Sequence, residues 1–160
     1  MQSLIRVLIV DDFAPWQKFV ECHLVRHSNV RAVGFAADGL DAVRKAEELR
    51  PDLVLLDIGL PKANGIEAAR KIRERVPQST ILFLSNFSDP DVITAALDAG
   101  GSGYVLKSEA TRDLIAGAEA VLRGESFLSP GLQTLKNTVV TKARLAADFF
   151  GFSSRSRASL

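Results

Sequence analysis

The segment DLVLLDIGLPKANG, residues 52–65, decides how the rest of the chain is interpreted. Its apolar run predicts a short strand that ends at the carboxylate of Asp57. A tight loop containing Pro61 follows, and the step Asn64-Gly65 leads into a helix. Strands often end on a polar residue where the chain reaches water, so Asp57 alone would have little meaning. Its significance depends on the residues that end the other predicted strands.

The composition is typical of a globular protein. The 160 residues include 47% hydrophobic and 24% charged side chains, which suits one domain of ordinary size with a short appendage. No apolar run approaches the roughly 18 residues of a membrane span, and the N-terminus lacks the basic and apolar regions of a signal peptide. The single Cys22 has no partner for an internal disulfide. A cytoplasmic location is therefore expected.

The charges are distributed unevenly along the chain. Residues 1–130 carry 15 basic and 18 acidic side chains, a net charge of −3, whereas residues 131–160 carry 5 and 1, a net charge of +4. The main part of the chain therefore lacks the basic balance of a nucleic-acid binder. The five cations of the tail are spaced apart, as they are in many solvated termini.

The chain alternates between two hydrophobic periodicities. Short apolar segments predict five strands, at residues 4–10, 30–36, 52–57, 80–84 and 104–106. Apolar residues at helical spacing lie between the strands and after the last one. We expect the first helix to begin near Pro15 and run to about His27, and Asn64 and Glu67 have the spacing of a capping box for the third. Repeated strand-helix units with right-handed crossovers require a parallel sheet covered on both faces. The predicted fold is a doubly wound, five-stranded α/β domain of the flavodoxin-like kind with a short C-terminal extension.

Polar residues follow four of the predicted strands. Asp11 and Asp12 end the first strand, Asp57 the third, Ser85 the fourth and Lys107 the fifth. Functional groups of doubly wound folds gather beyond the carboxyl ends of the strands. We therefore expect these five residues to meet on one rim of the sheet.

The side chains of that set favour one kind of chemistry. Crowded carboxylates raise each other's pKa values unless a cation joins them, and oxygen ligands favour Mg²⁺. A lysine can pair with a phosphate and a serine hydroxyl can hydrogen-bond to it. A carboxylate can also attack phosphorus to give an aspartyl phosphate. The set therefore suggests phosphoryl transfer to an aspartate.

Four motifs carry a resemblance to a known family. They are VLIVDD at residues 7–12, DLVLLDIGLPKANG at 52–65, FLS at 83–85 and GYVLKS at 103–108. Residues 4–130 resemble the receiver domain of bacterial two-component response regulators. The run KSEATRDLIAGAEAVLRGESFLSP, residues 107–130, is similar to the subgroup that usually carries a LuxR/NarL-type DNA-binding helix-turn-helix after the receiver. The resemblance divides the chain into a receiver domain at residues 1–130 and an extension at residues 131–160.

The resemblance implies a role for each residue of the acidic site. Asp57 would be the phosphoacceptor. Mg²⁺ would be held by Asp12, Asp57 and the backbone carbonyl of Gly59, with Asp11 acting on the metal through water. Lys107 would pair with the phosphate. Such a domain assists its own phosphorylation and dephosphorylation without being a turnover enzyme.

The resemblance also implies a switch and partners. Ser85 would move to bond the phosphate, and Tyr104 stands at the position of the family's switch aromatic, which turns inward as the serine shifts. Many receivers have a proline after the lysine, where this chain has Ser108. The expected partners are a sensor histidine kinase or a phosphotransfer protein, together with a second copy of the chain if phosphorylation promotes dimerisation. No membrane partner is expected.

The extension is too short for the expected output domain. A DNA-binding domain of that subgroup needs roughly 60 residues, and only 30 follow Pro130. We therefore expect no DNA-binding domain in this chain. A stripe at helical spacing predicts either a helix that docks on the body or pairs with a second copy, or a partly ordered tail; its residues are Leu132, Leu135, Val139, Lys142, Ala146 and Phe149.

Other functions stay open at this point. A haloacid-dehalogenase-type phosphatase also uses an Asp nucleophile, Mg²⁺, a Ser or Thr and a Lys, but it needs a DxD motif, and Phe13 stands two positions after Asp11. A module that binds a nucleotide or flavin would need a phosphate loop, which the sequence lacks. The chain could also be the remnant of a DNA-binding transcriptional regulator.

Overall fold

Six parallel strands form one sheet in the order β2-β1-β3-β4-β5-β6. The structure, a computed structural model, describes residues 3–27 and 29–135. The strands are β1 (Ile5–Val10), β2 (Val30–Ala36), β3 (Leu53–Leu56), β4 (Thr80–Ser85), β5 (Gly103–Leu106) and β6 (Phe127–Leu128). The strand order reverses next to β1, so the carboxyl ends of β1 and β3 lie side by side.

Five helices cover the two faces of the sheet. They are α1 (Ala14–Leu24), α2 (Gly39–Leu49), α3 (Gly65–Arg75), α4 (Pro90–Asp98) and α5 (Ala110–Leu122). Helices α1 and α5 pack on one face, and α2, α3 and α4 pack on the other. The α/β, doubly wound, flavodoxin-like fold predicted from the sequence is confirmed.

Strand β3 shows why an unbroken apolar run is required. Leu53 and Leu55 belong to the core under α1 and α5, whereas Val54 and Leu56 belong to the core under α2, α3 and α4. None of the four is more than 1% exposed. Successive side chains of a strand point to opposite faces, so a strand in the middle of a covered sheet needs apolar residues at every position.

The capping residue expected before the third helix is present. The Asn64 side-chain oxygen accepts hydrogen bonds from the N–H groups of Ile66 and Glu67 at 2.9 and 3.0 Å. Asp38 caps α2 in the same manner, accepting from Asp41 N–H at 2.7 Å. These caps satisfy N–H groups that have no partner inside their helices.

The first helix is shorter than predicted. It ends at Leu24, whereas apolar spacing suggested His27. Beyond Leu24 the chain turns, with His27 N–H bonded to the Leu24 carbonyl at 2.9 Å and Ile5 N–H bonded to the Asn29 carbonyl at 2.7 Å. The chain must turn here because β2 begins at Val30, beside the start of β1.

The sixth strand corrects the predicted number of five. Phe127 and Leu128 pair with Gly103 and Tyr104 of β5. Two residues are too few for a periodic pattern, so this strand could not be seen in the sequence. A short 3₁₀ helix, Pro130–Leu135, follows it.

The extension is described only at its start. Leu132 is buried and belongs to the core under α2, α3 and α4. Residues 136–160, with most of the predicted helical stripe, lie outside the described residues. The division at residue 130 therefore stays a prediction. Within the described ranges, no helix is both long enough and apolar enough to cross a membrane.

Two glycines flank the loop after Asp57 and give a matched test of packing. A Cβ atom at Gly65 would overlap the backbone oxygen of Asp57, whereas one at Gly59 would lie 3.6 Å from the Phe87 ring, in ordinary contact. We expect Gly65→Ala to lower the free energy of unfolding by about 2–3 kcal/mol or more and Gly59→Ala to change it by less than about 0.5 kcal/mol. Urea denaturation of both variants measures this difference. Equal losses would contradict the packing described here.

Candidate functional site

An acidic pocket lies at the carboxyl ends of β1 and β3. Asp57 N–H bonds to the Val10 carbonyl at 3.1 Å, which holds Asp57 next to the end of β1. One carboxylate oxygen from each of Asp11, Asp12 and Asp57 falls within a group whose atoms are all within 4.8 Å of one another. Asp11 and Asp57 are buried, whereas Asp12 is exposed. We call these three residues and Lys107 the acid pocket.

Lys107 joins the two buried carboxylates. Its Nζ lies 2.5 Å from Asp11 Oδ2 and 3.2 Å from Asp57 Oδ2. The side chains of all three are nearly enclosed, at 12% exposure for the lysine, 2% for Asp11 and 10% for Asp57. An ion pair so far removed from water is screened much less than one on the surface. One ammonium group therefore balances much of the charge of two carboxylates.

Backbone N–H groups orient the other carboxylate oxygens. Asp57 Oδ1 accepts from Ile58 N–H at 2.8 Å, and Asp11 Oδ1 accepts from Phe13 N–H at 2.9 Å. Burial raises the pKa of Asp11 above its ordinary value, and the charge of Asp57 acts in the same direction. The hydrogen bonds from Lys107 and Phe13 oppose this rise without cancelling it. Asp11 is therefore a carboxylate whose charged form is disfavoured mainly by burial.

The donor set of the pocket fits a small divalent cation. Three carboxylates meet within metal-binding distance, and a cation bound among them would offset their mutual repulsion. All the ligand atoms are oxygens, which favours Mg²⁺ over the transition metals. Asp12 is the exposed member of the three, so the group is open to solvent at this residue.

Ser85 and Tyr104 meet at the loop after β4. The Tyr104 hydroxyl donates to the Phe87 carbonyl at 2.7 Å, and the Ser85 hydroxyl accepts from Phe87 N–H at 3.3 Å. Both side chains are fully buried. The Tyr104 ring points inward and stacks near Phe83, with ring centroids 6.2 Å apart. A shift of either residue would therefore change the hydrogen bonds of the same loop.

Burial also changes the acidity of Tyr104. It raises the pKa of the phenol to about 12, and the negative charge of Asp57 contributes, while a hydrogen bond with Ser85 acts in the opposite direction. The influence of Asp57 shows that the phenol and the acid pocket share one electrostatic environment.

Gly59 lies in the exposed loop after Asp57. The Phe87 ring lies near Gly59, 3.6 Å from the position that a Cβ atom on Gly59 would take. Phe87 is 47% exposed and Phe13 is 62% exposed. Phe13 adjoins Asp12 in the chain, so each of these accessible aromatic residues is next to a residue of the predicted metal set.

One neighbour of the pocket was not predicted from the sequence. The Trp16 ring lies with its centroid 5.1 Å from Lys107 Nζ, a distance at which a cation and an aromatic face attract each other. The apolar spacing of α1 indicated only that Trp16 faces inward. Its position in the first turn of the helix after Asp12 was the available signal, because that turn lies at the rim of the sheet.

The structure thus brings together Asp11, Asp12, Asp57 and Lys107, as predicted, and joins Ser85 to Tyr104 through the loop at Phe87. The roles assigned to these residues and to the Gly59 carbonyl stay predictions. The peptide bond at Ser108 is trans, as are the other described peptide bonds.

Comparison with known proteins gives the family of the chain. Residues 7–119 match the response regulator receiver domain. The chain belongs to this family. Receiver domains act in two-component systems, where they are partners of histidine kinases, and they typically bind Mg²⁺ at an acidic pocket. They transmit a signal rather than turn over a substrate.

Relatives of this receiver domain are themselves response regulators. The response regulator protein VraR of Staphylococcus aureus is 34% identical over 142 residues, a match covering 88% of this chain and 68% of VraR. A LuxR-family response regulator from Aurantimonas sp. SI85-9A1 has a TM-score of 0.79 at 31% identity, covering 89% of this chain and 99% of that one. The response regulator domain of Thermotoga maritima CheB has a TM-score of 0.68 at 30% identity, covering 76% of this chain and 95% of that one.

The receiver domain contains a single tyrosine, so its titration can be assigned. We expect the ultraviolet absorbance of the phenolate to appear with a midpoint near pH 12 in the folded protein, compared with about pH 10 in the unfolded chain. The folded pKa is the higher one, so the contribution of Tyr104 to stability is complete below about pH 10 and is lost as the pH rises towards 12.

The variant Tyr104→Phe is the control for this prediction. It has no phenol, so its free energy of unfolding should fall less steeply than that of the wild type between pH 10 and 12. Between pH 10 and 12 the wild type should lose about 2–3 kcal/mol more of its free energy of unfolding than Tyr104→Phe loses. A wild-type phenolate midpoint near 10 in the folded protein would contradict the burial of the hydroxyl.

Proposed function

We propose that this receiver domain takes a phosphoryl group onto Asp57 from a phosphohistidine and passes the signal on through changes in its protein contacts. The observation that carries the proposal is the position of Lys107, whose ammonium group lies within ion-pair distance of Asp57 and of Asp11 in a nearly enclosed pocket. A permanent cation beside a carboxylate nucleophile suits a reaction that brings a dianionic group to that carboxylate.

The proposed step uses the carboxylate of Asp57 as the nucleophile. One carboxylate oxygen attacks phosphorus, the bond between phosphorus and the imidazole nitrogen breaks, and the nitrogen keeps the electron pair. The product is an aspartyl phosphate. Ile58 N–H fixes Oδ1 of Asp57 through a hydrogen bond, and Lys107 approaches Oδ2. Lys107 is thus placed to exchange a carboxylate partner for a phosphoryl oxygen.

Asp12, Asp57 and the Gly59 carbonyl are the groups we expect to hold Mg²⁺, with Asp11 acting through water. The proximity of the three carboxylates supports this set. When bound, the ion would offset negative charge on the phosphoryl oxygens, as it does in other phosphoryl transfers. Asp57 provides the nucleophile, and Lys107 provides a cation that belongs to the protein itself.

The switch would involve the pair Ser85 and Tyr104. The hydroxyl of Ser85 is at the end of β4, beside β3 and its phosphoacceptor, and both residues bond to Phe87. If Ser85 turns to bond a phosphoryl oxygen, its hydrogen bonds with Phe87 and Tyr104 change together. The loop before α4 would then rearrange, which is a local change with an effect at the surface.

The proposed phosphodonor partner is a sensor histidine kinase or a phosphotransfer protein in the cytoplasm. Phe13 and Phe87 support a protein partner, because exposed aromatic residues next to a reactive group are typical of protein contacts. The domain would assist its own phosphorylation and dephosphorylation without releasing product continuously from a substrate. Pairing of two phosphorylated copies stays a prediction, and light scattering with and without beryllofluoride tests it.

Replacing the phosphoacceptor should abolish labelling. With Mg²⁺ and a small phosphodonor such as phosphoramidate, the wild type should gain the mass of one phosphoryl group, because Asp57 carries the nucleophilic carboxylate. Asp57→Asn should gain none, since its amide is a poor nucleophile. Intact mass spectrometry measures both.

The matched control for labelling is Asp98→Asn. Asp98 is exposed at the C-terminal end of α4, away from the carboxyl ends of the strands, and this variant should be labelled like the wild type. Equal labelling of Asp57→Asn and the wild type would exclude Asp57 as the acceptor. Sustained release of phosphate from added monoesters would favour the phosphatase alternative.

The metal set can be tested without phosphorylation. Trp16 is the single tryptophan, and its ring lies 5.1 Å from Lys107 Nζ, so its fluorescence should respond when Mg²⁺ enters the pocket. Asp12→Ala removes a proposed ligand and should raise the Kd for Mg²⁺ about tenfold or more. Asp98→Ala should leave it unchanged. An unaltered Kd in Asp12→Ala would remove Asp12 from the ligand set.

A further inference from the structure

The segment after α5 forms a clasp over the end of β5. We define the clasp as residues 127–132. Its first two residues are β6, which pairs with β5, and its last residue, Leu132, is 2% exposed in the same core cluster as Tyr104. Phe127 packs near Gly117 of α5 and Val105 of β5. The clasp therefore touches both β5 and α5, the two elements on either side of Lys107.

Ser129 connects the clasp to the residue before Lys107. Its hydroxyl accepts a hydrogen bond from Leu106 N–H at 3.0 Å, and its own N–H bonds to the Tyr104 carbonyl at 3.0 Å. Ser129 is fully buried. With the serine side chain removed, Leu106 N–H would lose this acceptor at a half-buried position. A partly buried N–H without a protein partner is unfavourable, so the backbone there would move to find one.

A charged anchor holds the Ser129 hydroxyl in place. Asp113 is 4% exposed, and hydrogen bonds from Arg112 and Ser129 lower the pKa of its carboxyl below the ordinary value. Arg112 binds it through two nitrogens, at 2.8 and 3.0 Å. The Ser129 hydroxyl thus interacts with the Asp113 carboxylate and accepts from the Leu106 N–H.

The position of Lys107 depends on this connection. The lysine stem begins one residue after Leu106, and its Nζ must reach between Asp11 and Asp57. Strand β5 ends at Leu106, and Lys107 begins the short 3₁₀ helix Lys107–Glu109. Strand pairing therefore does not continue through Lys107 to hold its backbone. Leu106 N–H belongs to the Val105–Leu106 peptide, and a shift of that peptide would change the course of the chain at Lys107 and move the ammonium group within the acid pocket.

We propose that Ser129 is a positioning residue for Lys107, acting through the Leu106 peptide and held by Asp113. Ser129 does not touch the reacting groups; it fixes the backbone from which the phosphate-pairing lysine extends. This inference rests on the proposed function of the acid pocket. It assigns the clasp, which lies beyond the matched residues 7–119, a part in phosphorylation.

The test compares Ser129→Ala with Ser79→Ala. Ser79 is also fully buried, and its hydroxyl donates to the Pro51 carbonyl at 2.6 Å, next to the starts of β3 and β4 and away from the acid pocket. Ser129→Ala loses the hydroxyl contacts with Leu106 N–H and Asp113, and Ser79→Ala loses one buried hydroxyl hydrogen bond, so both should lower the Tm, Ser129→Ala by more. We expect only Ser129→Ala to be phosphorylated more slowly by phosphoramidate, by about tenfold, because small misplacements of a catalytic group have large effects on rate.

A second measurement requires no phosphorylation. Lys107 pairs with the carboxylates that Mg²⁺ is expected to need, so a displaced lysine should compete less with the ion. In calorimetric titrations, Ser129→Ala should bind Mg²⁺ about threefold more tightly than the wild type, and Ser79→Ala should not. Asp113→Asn keeps the serine but weakens its anchor, so it should change both quantities in the same directions by smaller factors. If Ser129→Ala does not fold, Asp113→Asn still tests the proposal.

The outcomes separate the two proposals. Slower phosphorylation and tighter Mg²⁺ binding in Ser129→Ala, but not in Ser79→Ala, support the positioning role. Equal behaviour of the two serine variants would overturn that role and leave the proposed function intact. If the wild type takes no phosphoryl group, the proposed function fails, and an unchanged Mg²⁺ affinity in Ser129→Ala would then overturn the positioning role as well.

Discussion

The site depends on one buried ammonium group shared by two carboxylates. Lys107 comes from the end of β5, and its partners Asp11 and Asp57 come from the ends of β1 and β3, so the ion pair ties together the carboxyl ends of three strands. Two adjacent carboxylates would repel each other if the cation were removed, and burial would increase the cost. Burial raises the pKa of Asp11 even with Lys107 in place. Three carboxylates surround one ammonium group, so an additional cation would offset negative charge that Lys107 alone does not neutralise.

The sequence was sufficient for the sheet and for the composition of the acid pocket, for physical reasons. Buried parallel strands need apolar residues at every position, which made β1, β3 and β4 recognisable from LIRVLIV, DLVLLD and TILFL. Once the strands are known, the topology brings their carboxyl ends together, and the residues that follow them become neighbours. This is why Asp11, Asp57 and Lys107 could be grouped, although Asp57 lies 46 positions after Asp11 and Lys107 lies 50 positions after Asp57. The end of α1 was less predictable, because no Gly or Pro stands between Leu24 and β2 to mark the point at which the backbone turns.

Three features of the site could not be predicted because each depends on a side-chain or backbone contact without a periodic signal. Trp16, in the first turn of α1, approaches Lys107 at the end of another strand. Tyr104 and Ser85 share Phe87 through the course of a loop. The pairing of β6 with β5 involves only two residues, and Ser129 gains its partners from that pairing. Contacts of this kind follow from the packed structure, whereas patterning reports only which face of an element is buried.

The short strand β6 has a consequence for the solution behaviour of the protein. Without it, β5 would be the outermost strand, and its backbone N–H and C=O groups would offer a template for pairing with another chain. Phe127 and Leu128 occupy part of that edge, and the turn into Pro130 interrupts further pairing because proline has no N–H to donate. A fragment cut before Phe127 would expose this edge together with the apolar surface that Leu132 covers. Such a fragment would be prone to self-association, so the residues needed for a well-behaved domain extend past the family match that ends at residue 119.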